Sequence, residues 1–181
     1  MRVITGSCRG KKLKTLESLD TRPTTDMVKE AVFSIIQFDV PASSVLDLFA
    51  GSGQMGIEAL SRGASHCDSN PEAVAIVKDN VDSCGFNKES RVLCMDSLEY
   101  LKVAKAGLDI VFIDPPYRMG IVEKALELVE SKLNDGAIIV CEHEKELELG
   151  ESYGRLKLHK RYKYGKTALT VYKIPMKEVD Y

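Results

Sequence analysis

Apolar residues recur in two alternating patterns between residues 44 and 141. Short apolar runs are typical of buried strands, and the segments between them show the three-to-four-residue spacing of helices. The predicted strands are Val45–Phe49, His66–Asp68, Arg91–Met95, Leu108–Ile113 and Ala137–Cys141. The predicted helices run from Met55 to Arg62, from Asn70-Pro71 to Val81, from a cap at Ser97, and from Ile121 to Leu133. This alternation predicts an α/β fold in which helices cover both faces of a parallel sheet.

The two ends of the chain follow other patterns. Val3 to Leu13 is short, β-like and broken by glycines, which predicts a small N-terminal hairpin or arm. Pro23, Thr25 and Asp26 then supply the start signals of a helix. At the other end, Leu156–Tyr164 and Thr167–Ile174 alternate around Gly165-Lys166 and predict an antiparallel hairpin. The expected organisation is therefore an arm over residues 1–25 and one domain over residues 26–181.

The second predicted strand is unusually short. Only three residues separate Ala64 from Asp68, whereas strands commonly have about five. Two explanations stay open at this point: either the strand is stunted, or residues are missing here.

Composition limits the classes of protein to consider. The 181 residues suit one domain with a short appendage, and 44% hydrophobic with 29% charged residues excludes a disordered or collagen-like chain. No run approaches the roughly 18 apolar residues of a membrane span. The five cysteines are scattered and form no Cys-x-x-Cys pair, so we expect reduced thiols in a cytoplasmic protein.

Charge is unevenly distributed, although the net charge is only -2. Residues 1–14 and residues 155–166 are basic segments without a single acid. Such segments can form a positive face that attracts the phosphates of a nucleic acid. The alternative is that both are solvated strands kept soluble by lysine.

Acidic residues follow four of the predicted strands. In an open α/β sheet, ligands bind at the carboxyl ends of the strands, so Asp47, Asp68, Asp96 and Asp114 are candidate site residues. The Gly51-Ser52-Gly53 turn after the first strand allows a ligand to approach the backbone, and an acid after the second strand can accept both hydroxyls of a ribose. No Gly-Lys-Ser/Thr follows the turn, which excludes a Walker phosphate loop.

The segment Asp114-Pro115-Pro116-Tyr117 carries a more specific signal. Two prolines fix an extended backbone, which presents the carboxylate, a proline carbonyl and the tyrosine ring at one rim. A planar base can stack on Tyr117 while its amine donates hydrogen bonds to Asp114 and to the carbonyl of Pro115. The alternative is a strand terminator with a packing tyrosine.

Together, the segment Asp47–Gly53 and the segment Asp114–Tyr117 resemble those of class I S-adenosylmethionine-dependent amino methyltransferases, which have a Rossmann-like fold. Three further segments resemble the RsmD family: Arg9-Gly10-Lys11-Lys12-Leu13, Arg22-Pro23-Thr24-Thr25-Asp26 and Glu58–Ala64. Tyr164-Gly165-Lys166-Thr167 also fits that family. Its members methylate the N2 amine of a guanine in bacterial 16S ribosomal RNA.

The resemblance implies roles for individual residues. Asp114, Pro115 and Tyr117 would hold the target guanine and carry catalysis, and Asp68 would bind the ribose of S-adenosylmethionine. Asp96 and Ser97 would meet its adenine. The remaining cofactor residues would be Asp47, Phe49, Ala50, Gly51, Ser52, Gly53 and Asp114. We expect RNA contacts from Arg2, Arg9, Lys11, Lys12 and Arg22.

Two other functions stay open. Asp-Pro-Pro-Tyr segments also serve adenine-N6 and glutamine-amide methyltransferases, and a noncatalytic RNA-binding factor for ribosome assembly could have inherited the fold. The three histidines have no metal-ligand spacing, so we expect no metal, and we expect His143 to be exposed. We expect a monomer whose partner is 16S rRNA or the small ribosomal subunit.

Overall fold

A computed structural model of the chain describes residues 1–15, 25–116 and 120–176. The chain divides into two compact units, Met1–Met95 and Asp96–Tyr181. Within the described part, no helix has the length and apolar character that a membrane crossing requires.

The first unit alternates helices and short parallel strands. Its helices are α1 (Asp26–Ile35), α2 (Gln54–Ser61) and α3 (Val74–Cys84), and its strands are β1 (Ser44–Asp47), β2 (His66–Ser69) and β3 (Ser90–Val92). β2 pairs in parallel with β1 on one side and with β3 on the other. All four β2 residues pair with β1, from Ser44 with His66 to Asp47 with Ser69. The second strand is therefore short, and all four of its residues take part in the sheet.

Helix caps explain where two of these helices begin and end. Thr25 caps α1 by accepting a hydrogen bond from the Val28 backbone N–H, as predicted. Gly85 ends α3 in the left-handed conformation. The prediction that Asn70-Pro71 begins α3 is wrong, because α3 begins at Val74 and the Asn70 side chain bonds to Met95 instead.

The N-terminal arm, residues 1–15, is a hairpin-like loop that packs on α2 and α3. Its two sides meet at an isolated antiparallel bridge between Arg2 and Lys12. Val3 and Leu13 are buried, and they form one apolar cluster with three helix residues, namely Ile57, Val77 and Val81. The arm is held by the hydrophobic effect on one side and exposes its basic residues on the other.

The second unit contains α4 (Ser97–Val103), β4 (Leu108–Ile113), α5 (Ile121–Val129), a 3-10 helix (Glu130–Lys132), β5 (Leu133–Glu144), β6 (Ser152–Tyr153), β7 (Leu156–Tyr164) and β8 (Thr167–Lys173). Its strands lie in the order β4-β5-β8-β7-β6. β4 and β5 are parallel, and the other pairs are antiparallel. The predicted C-terminal hairpin is confirmed as β7 and β8.

His143 contradicts its prediction, because it is buried at 5% exposure. Its Nε2 and the Thr170 Oγ1 are 2.7 Å apart, and its Nδ1 lies 2.8 Å from the Glu144 carbonyl oxygen. Burial lowers the pKa of His143 and favours the neutral ring. Its imidazole therefore forms one structural hydrogen bond within β5 and one from β5 to β8.

Candidate functional site

The glycine loop, residues 48–53, connects the end of β1 to the first turn of α2. Gly53 adopts the left-handed conformation with φ of 79°, and its N–H donates to the Ala50 carbonyl at 2.6 Å. A Cβ at this position would lie 2.9 Å from a methyl group of Val77. Only glycine satisfies both the dihedral angle and the space at Gly53, so a tight loop forms just before a helix N-terminus.

Asp47 connects the first turn of α2, which follows this loop, to the end of β1. It is the last residue of β1 and is buried, and its Oδ2 accepts a hydrogen bond from the Gly56 N–H at 3.1 Å. Burial raises the pKa of Asp47 to about 7, while the bond from Gly56 acts in the opposite direction. Near neutral pH, Asp47 is thus poised between its charged and neutral forms.

Gly56 permits the close approach of α2 to the first two strands. A Cβ on Gly56 would lie 2.7 Å from the Cys67 Sγ and 3.1 Å from the Ser69 Oγ, both on β2. In the spacing Gly51-x-Gly53-x-x-Gly56, the third glycine therefore serves helix–strand packing, as in dinucleotide-binding loops.

Asn70 is a site residue that the sequence analysis missed. Its backbone N–H donates to the Asp47 carbonyl at 3.0 Å, and its carbonyl accepts from the Ala50 N–H at 3.4 Å. Its side-chain amide forms two 3.0 Å hydrogen bonds with the backbone of Met95. Asn70 thereby joins the glycine loop to the segment that follows β3. The only sequence signal was its place directly after β2.

Asn80 is a second missed residue. This buried asparagine on α3 donates from its Nδ2 to the carbonyls of Ser52 and Lys14, each at 2.9 Å. Its Oδ1 accepts from the Lys14 N–H at 2.8 Å. One amide therefore supports the glycine loop and the N-terminal arm together.

The predicted acidic residues have different surroundings. Asp68 on β2 is half-buried, and its Oδ1 lies 2.8 Å from the His66 Nε2. Asp96 is exposed and accepts from the N–H groups of Leu98 and Glu99, which makes it the N-cap of α4. The prediction of Ser97 as that cap is wrong, since Ser97 is the first helical residue.

The Asp-Pro-Pro segment follows β4 directly, as predicted. β4 ends at Ile113, Asp114 is half-buried, and Pro115 is buried while Pro116 is exposed. The first unit brings together Asp47, the glycine loop and Asp68, whereas Asp96, Ser97 and Asp114 belong to the second unit. Tyr117 lies outside the described residues.

The basic residues of the arm are exposed, and the arm is held by buried charge. Arg2, Arg9, Lys11 and Lys12 are all exposed, and Arg22 lies outside the described residues. The buried Glu58 carboxylate accepts hydrogen bonds from the backbone N–H groups of Ile4 and Thr5, at 2.7 and 3.0 Å.

Two cations complete this anchor cluster, which we define as Glu58, Lys29 and Arg62. Arg62 Nε donates to the Glu58 Oε1 at 2.8 Å, and the buried Lys29 Nζ lies 3.9 Å from the Glu58 Oε2. Lys29 also donates to the Arg2 carbonyl at 2.5 Å. The cluster fixes the path of the arm and leaves its basic side chains in solvent. No group of metal-ligating side chains occurs among residues 1–15, 25–116 and 120–176.

Comparison with known proteins places the chain in a family. The family model described as "Conserved hypothetical protein 95" matches residues 1–173. YlbH of Bacillus subtilis, provisionally named an rRNA methyltransferase, is 40% identical over 96% of this chain and 98% of its own length. Ribosomal RNA small subunit methyltransferase D of Escherichia coli is 34% identical over 95% of this chain and 89% of its own length.

A solved structure supports the same assignment. The Escherichia coli protein yhhF, provisionally described as a methyltransferase, superposes with a TM-score of 0.87 at 32% identity. The match covers 98% of this chain and 99% of that structure. The predicted Rossmann-like methyltransferase fold is thereby confirmed.

Proposed function

Because the chain belongs to the RsmD family of S-adenosylmethionine-dependent ribosomal RNA methyltransferases, we propose that its product is N2-methylguanine in 16S rRNA. The observation that carries this proposal is the Asp114-Pro115-Pro116 segment at the carboxyl end of the buried strand β4. Strand ends of this kind are where open α/β sheets bind their ligands.

The chemistry of the guanine N2 amine explains why a carboxylate and a proline carbonyl suit the Asp114-Pro115 segment. The N2 lone pair of guanine is delocalised into the ring, so the amine is a poor nucleophile. Acceptors at Asp114 and at the Pro115 carbonyl draw its two N–H groups into an orientation that aims the lone pair at the methyl carbon. Proline backbone is rigid, so little conformational entropy is lost when the base binds.

Methyl transfer itself requires little acid–base chemistry. When bound, S-adenosylmethionine would supply a methyl group on a positively charged sulfur, and that sulfur would keep the electron pair of the carbon–sulfur bond as N2 takes the methyl carbon. One proton then leaves N2, and Asp114 is the group that accepts it, directly or through water.

The first unit supplies the residues that we assign to the cofactor. The glycine loop gives a close backbone approach for the methionine part, and Asp47 and Asn70 hold that loop in place. Asp68 is half-buried on β2, which suits an acceptor for ribose hydroxyls. Asp96 and Ser97 remain our candidates for the adenine contact.

RNA recognition is assigned to the N-terminal arm. Four exposed cations on residues 1–12 lie on one short loop, namely Arg2, Arg9, Lys11 and Lys12. Phosphate contacts by such residues release counterions and supply affinity without sequence specificity. The anchor cluster supports this role because it holds the loop in one conformation before RNA binds.

The experiment that tests the proposal identifies the product. Small ribosomal subunits from a strain lacking the enzyme are incubated with the protein and labelled S-adenosylmethionine, and the modified nucleoside is identified by mass spectrometry. We expect N2-methylguanosine. N6-methyladenosine or a methylated glutamine would support the other methyltransferase classes, and cofactor binding without any product would support a noncatalytic RNA-binding factor.

A substitution separates the roles of binding and chemistry. We expect Asp114→Ala to bind S-adenosylmethionine as the parent does and to lose at least about 100-fold in methyl transfer. Asp39→Ala, which removes an exposed carboxylate from a loop, is the matched control and should remain active. Turnover of Asp114→Ala equal to that of the control would refute the assigned role.

A further inference from the structure

The strand β7 and the turn that follows it carry most of the positive charge of the second unit. Residues 155–166 contain six lysines and arginines and no acid. Arg155 is neutralised, because it pairs with Glu130 at 2.6 Å and with Asp135 at 3.1 Å. Arg161 donates to the Leu149 carbonyl. The four remaining cations are exposed and form no ion pair with another described residue: Lys157, Lys160, Lys163 and Lys166.

A β-bulge determines which of these residues share a face. The register between β7 and β8 shifts between Leu158 and Lys160, so that Leu158 pairs with Tyr172 and Lys160 with Val171. A regular strand would put Lys157 and Lys160 on opposite faces, because side chains alternate. The bulge inserts one residue and places both on the same face, which is a recognised way to re-aim a side chain.

The same face carries two aromatic residues and a further cation. Tyr162 and Tyr164 follow Lys160 at the two-residue period of a strand, and both are partly exposed. The Lys160 Nζ lies 5.2 Å from the centre of the Tyr162 ring, as expected for neighbours on one face. Lys173 lies directly opposite Lys157 on β8. We define these five residues as the β7 face.

The edge of β7 is also open over most of its length. β6 pairs with it only at Lys157 and Leu156, so residues 159–164 have no strand on that side among the described residues. Lys157 and Lys173 are like charges in direct opposition, which costs stability and is offset when an anion binds between them.

We propose that the β7 face, together with Lys166 in the hairpin turn, is a second RNA-contact surface. The lysines contact phosphates, and the partly exposed rings of Tyr162 and Tyr164 stack with unpaired bases. Cations beside aromatic rings are the chemistry by which proteins hold single-stranded RNA. This surface lies on a different unit from the N-terminal arm, and the inference rests on the proposed function, since it assumes an RNA substrate.

Salt dependence of RNA binding tests this surface. The variant Lys157→Gln, Lys160→Gln, Lys166→Gln is compared with Lys78→Gln, Lys105→Gln, Lys124→Gln, which removes three exposed lysines from other surfaces. Binding of a short fluorescein-labelled single-stranded RNA is measured by anisotropy from about 50 to 200 mM salt. Three lost phosphate contacts should lower the slope of log K against log salt by about 2. The control variant should keep the parent slope.

Two more variants sharpen the result. Lys166→Gln alone should lower the slope by about 0.7, which provides a test if the triple variant folds poorly. Tyr162→Leu should weaken binding of the single strand and leave the slope unchanged, because stacking releases no counterions. Binding of S-adenosylmethionine by every variant should equal that of the parent.

The outcomes distinguish this inference from the proposed function. If the parent neither binds nor methylates rRNA, the proposed function fails. If the parent does both and the β7 variant keeps the parent slope, only the second surface is refuted. If that variant keeps the slope and also self-associates in sedimentation, the lysines protect an open strand edge, which equally overturns the inference.

Discussion

Removing the charge of Glu58 should release the N-terminal arm. Glu58→Gln keeps the size of a fully buried side chain but eliminates the carboxylate that faces Lys29 and Arg62. The amide also presents one oxygen where two oxygens now accept from the N–H groups of Ile4 and Thr5. The substitution therefore affects the ion pairs and the arm contacts together.

Lys29 determines the size of the effect. Its ammonium is fully buried, and burial lowers the pKa of Lys29 while the charge of Glu58 raises it. Breaking a buried ion pair by removing one partner costs about 3–5 kcal/mol. Arg62 loses less, since it is partly exposed to water. For a chain of this length the loss corresponds to a fall in Tm of about 10 °C.

Urea unfolding and limited proteolysis measure the two consequences. We expect Glu58→Gln to unfold at lower urea, to be cleaved faster within residues 1–15, and to bind RNA more weakly while S-adenosylmethionine binding is retained. Glu72→Gln changes an exposed acid in the same unit and is the matched control. The double variant Glu58→Gln, Lys29→Met should recover part of the stability, because it removes a buried charge left with the exposed Asp26, at 3.8 Å, as its acidic partner.

A stability loss below about 1 kcal/mol, with the arm still protected from protease, would refute the reasoning about the anchor cluster. Full stability with weaker RNA binding would instead assign Glu58 to the RNA surface, which its complete burial argues against.

Two further predictions concern Gly56 and Asp47, which lie on either side of the glycine loop. Gly56→Ala forces a Cβ against the Cys67 Sγ at 2.7 Å, so we expect the free energy of unfolding to fall by about 1–3 kcal/mol and cofactor binding, measured by calorimetry, to weaken. Gly150→Ala is the control, because a Cβ there makes ordinary contacts from 3.4 Å. Equal behaviour of the two variants would contradict the packing role of Gly56. The raised pKa of Asp47, about 7 against 3.8 in an unfolded chain, means that the folded state binds a proton more tightly. The contribution of Asp47 to stability is present below pH 3.8 and is lost as the pH rises through about 7. We therefore compare the free energies of unfolding of the parent and of Asp47→Asn without cofactor. The stability of the parent relative to the variant should fall from pH 5 to 7 by up to about 1.4 kcal/mol per pH unit and level off above pH 8. A difference that does not change with pH would show that Asp47 does not titrate in this range.

The sequence predicted correctly the elements whose ends are marked by neighbouring residues. β4 was predicted over Leu108–Ile113 and is observed there, because a continuous apolar run ends at Asp114 and two prolines. The C-terminal hairpin was predicted almost to the residue, because Gly165-Lys166 fixes its turn and φ of Gly165 is 60°. In both cases the stop signal lies beside the element.

Long-range hydrogen bonds explain what the sequence could not predict. Asn70 bonds to Met95, Asn80 to Ser52 and Lys14, and His143 to Thr170. Each polar side chain is buried because its partner arrives from a distant segment, and an isolated polar residue normally indicates a surface. The β-bulge in β7 could not be predicted either, because no glycine or proline marks it in the sequence.

One of the sequence segments that suggested the RsmD family holds the part of the arm that directly precedes another. The N-terminal arm contains Arg9-Gly10-Lys11-Lys12-Leu13, and the segment Glu58–Ala64 starts in the second half of α2 and continues past its end. The backbone of Thr5 and Cys8 bonds to the Ser61 hydroxyl, and a Cβ on Gly6 would lie 1.7 Å from the Ser61 carbonyl oxygen. Glu58 bonds to the same arm one helical turn earlier. The Glu58–Ala64 segment therefore docks the arm, because its carboxylate and hydroxyl are already used by the backbone of the arm.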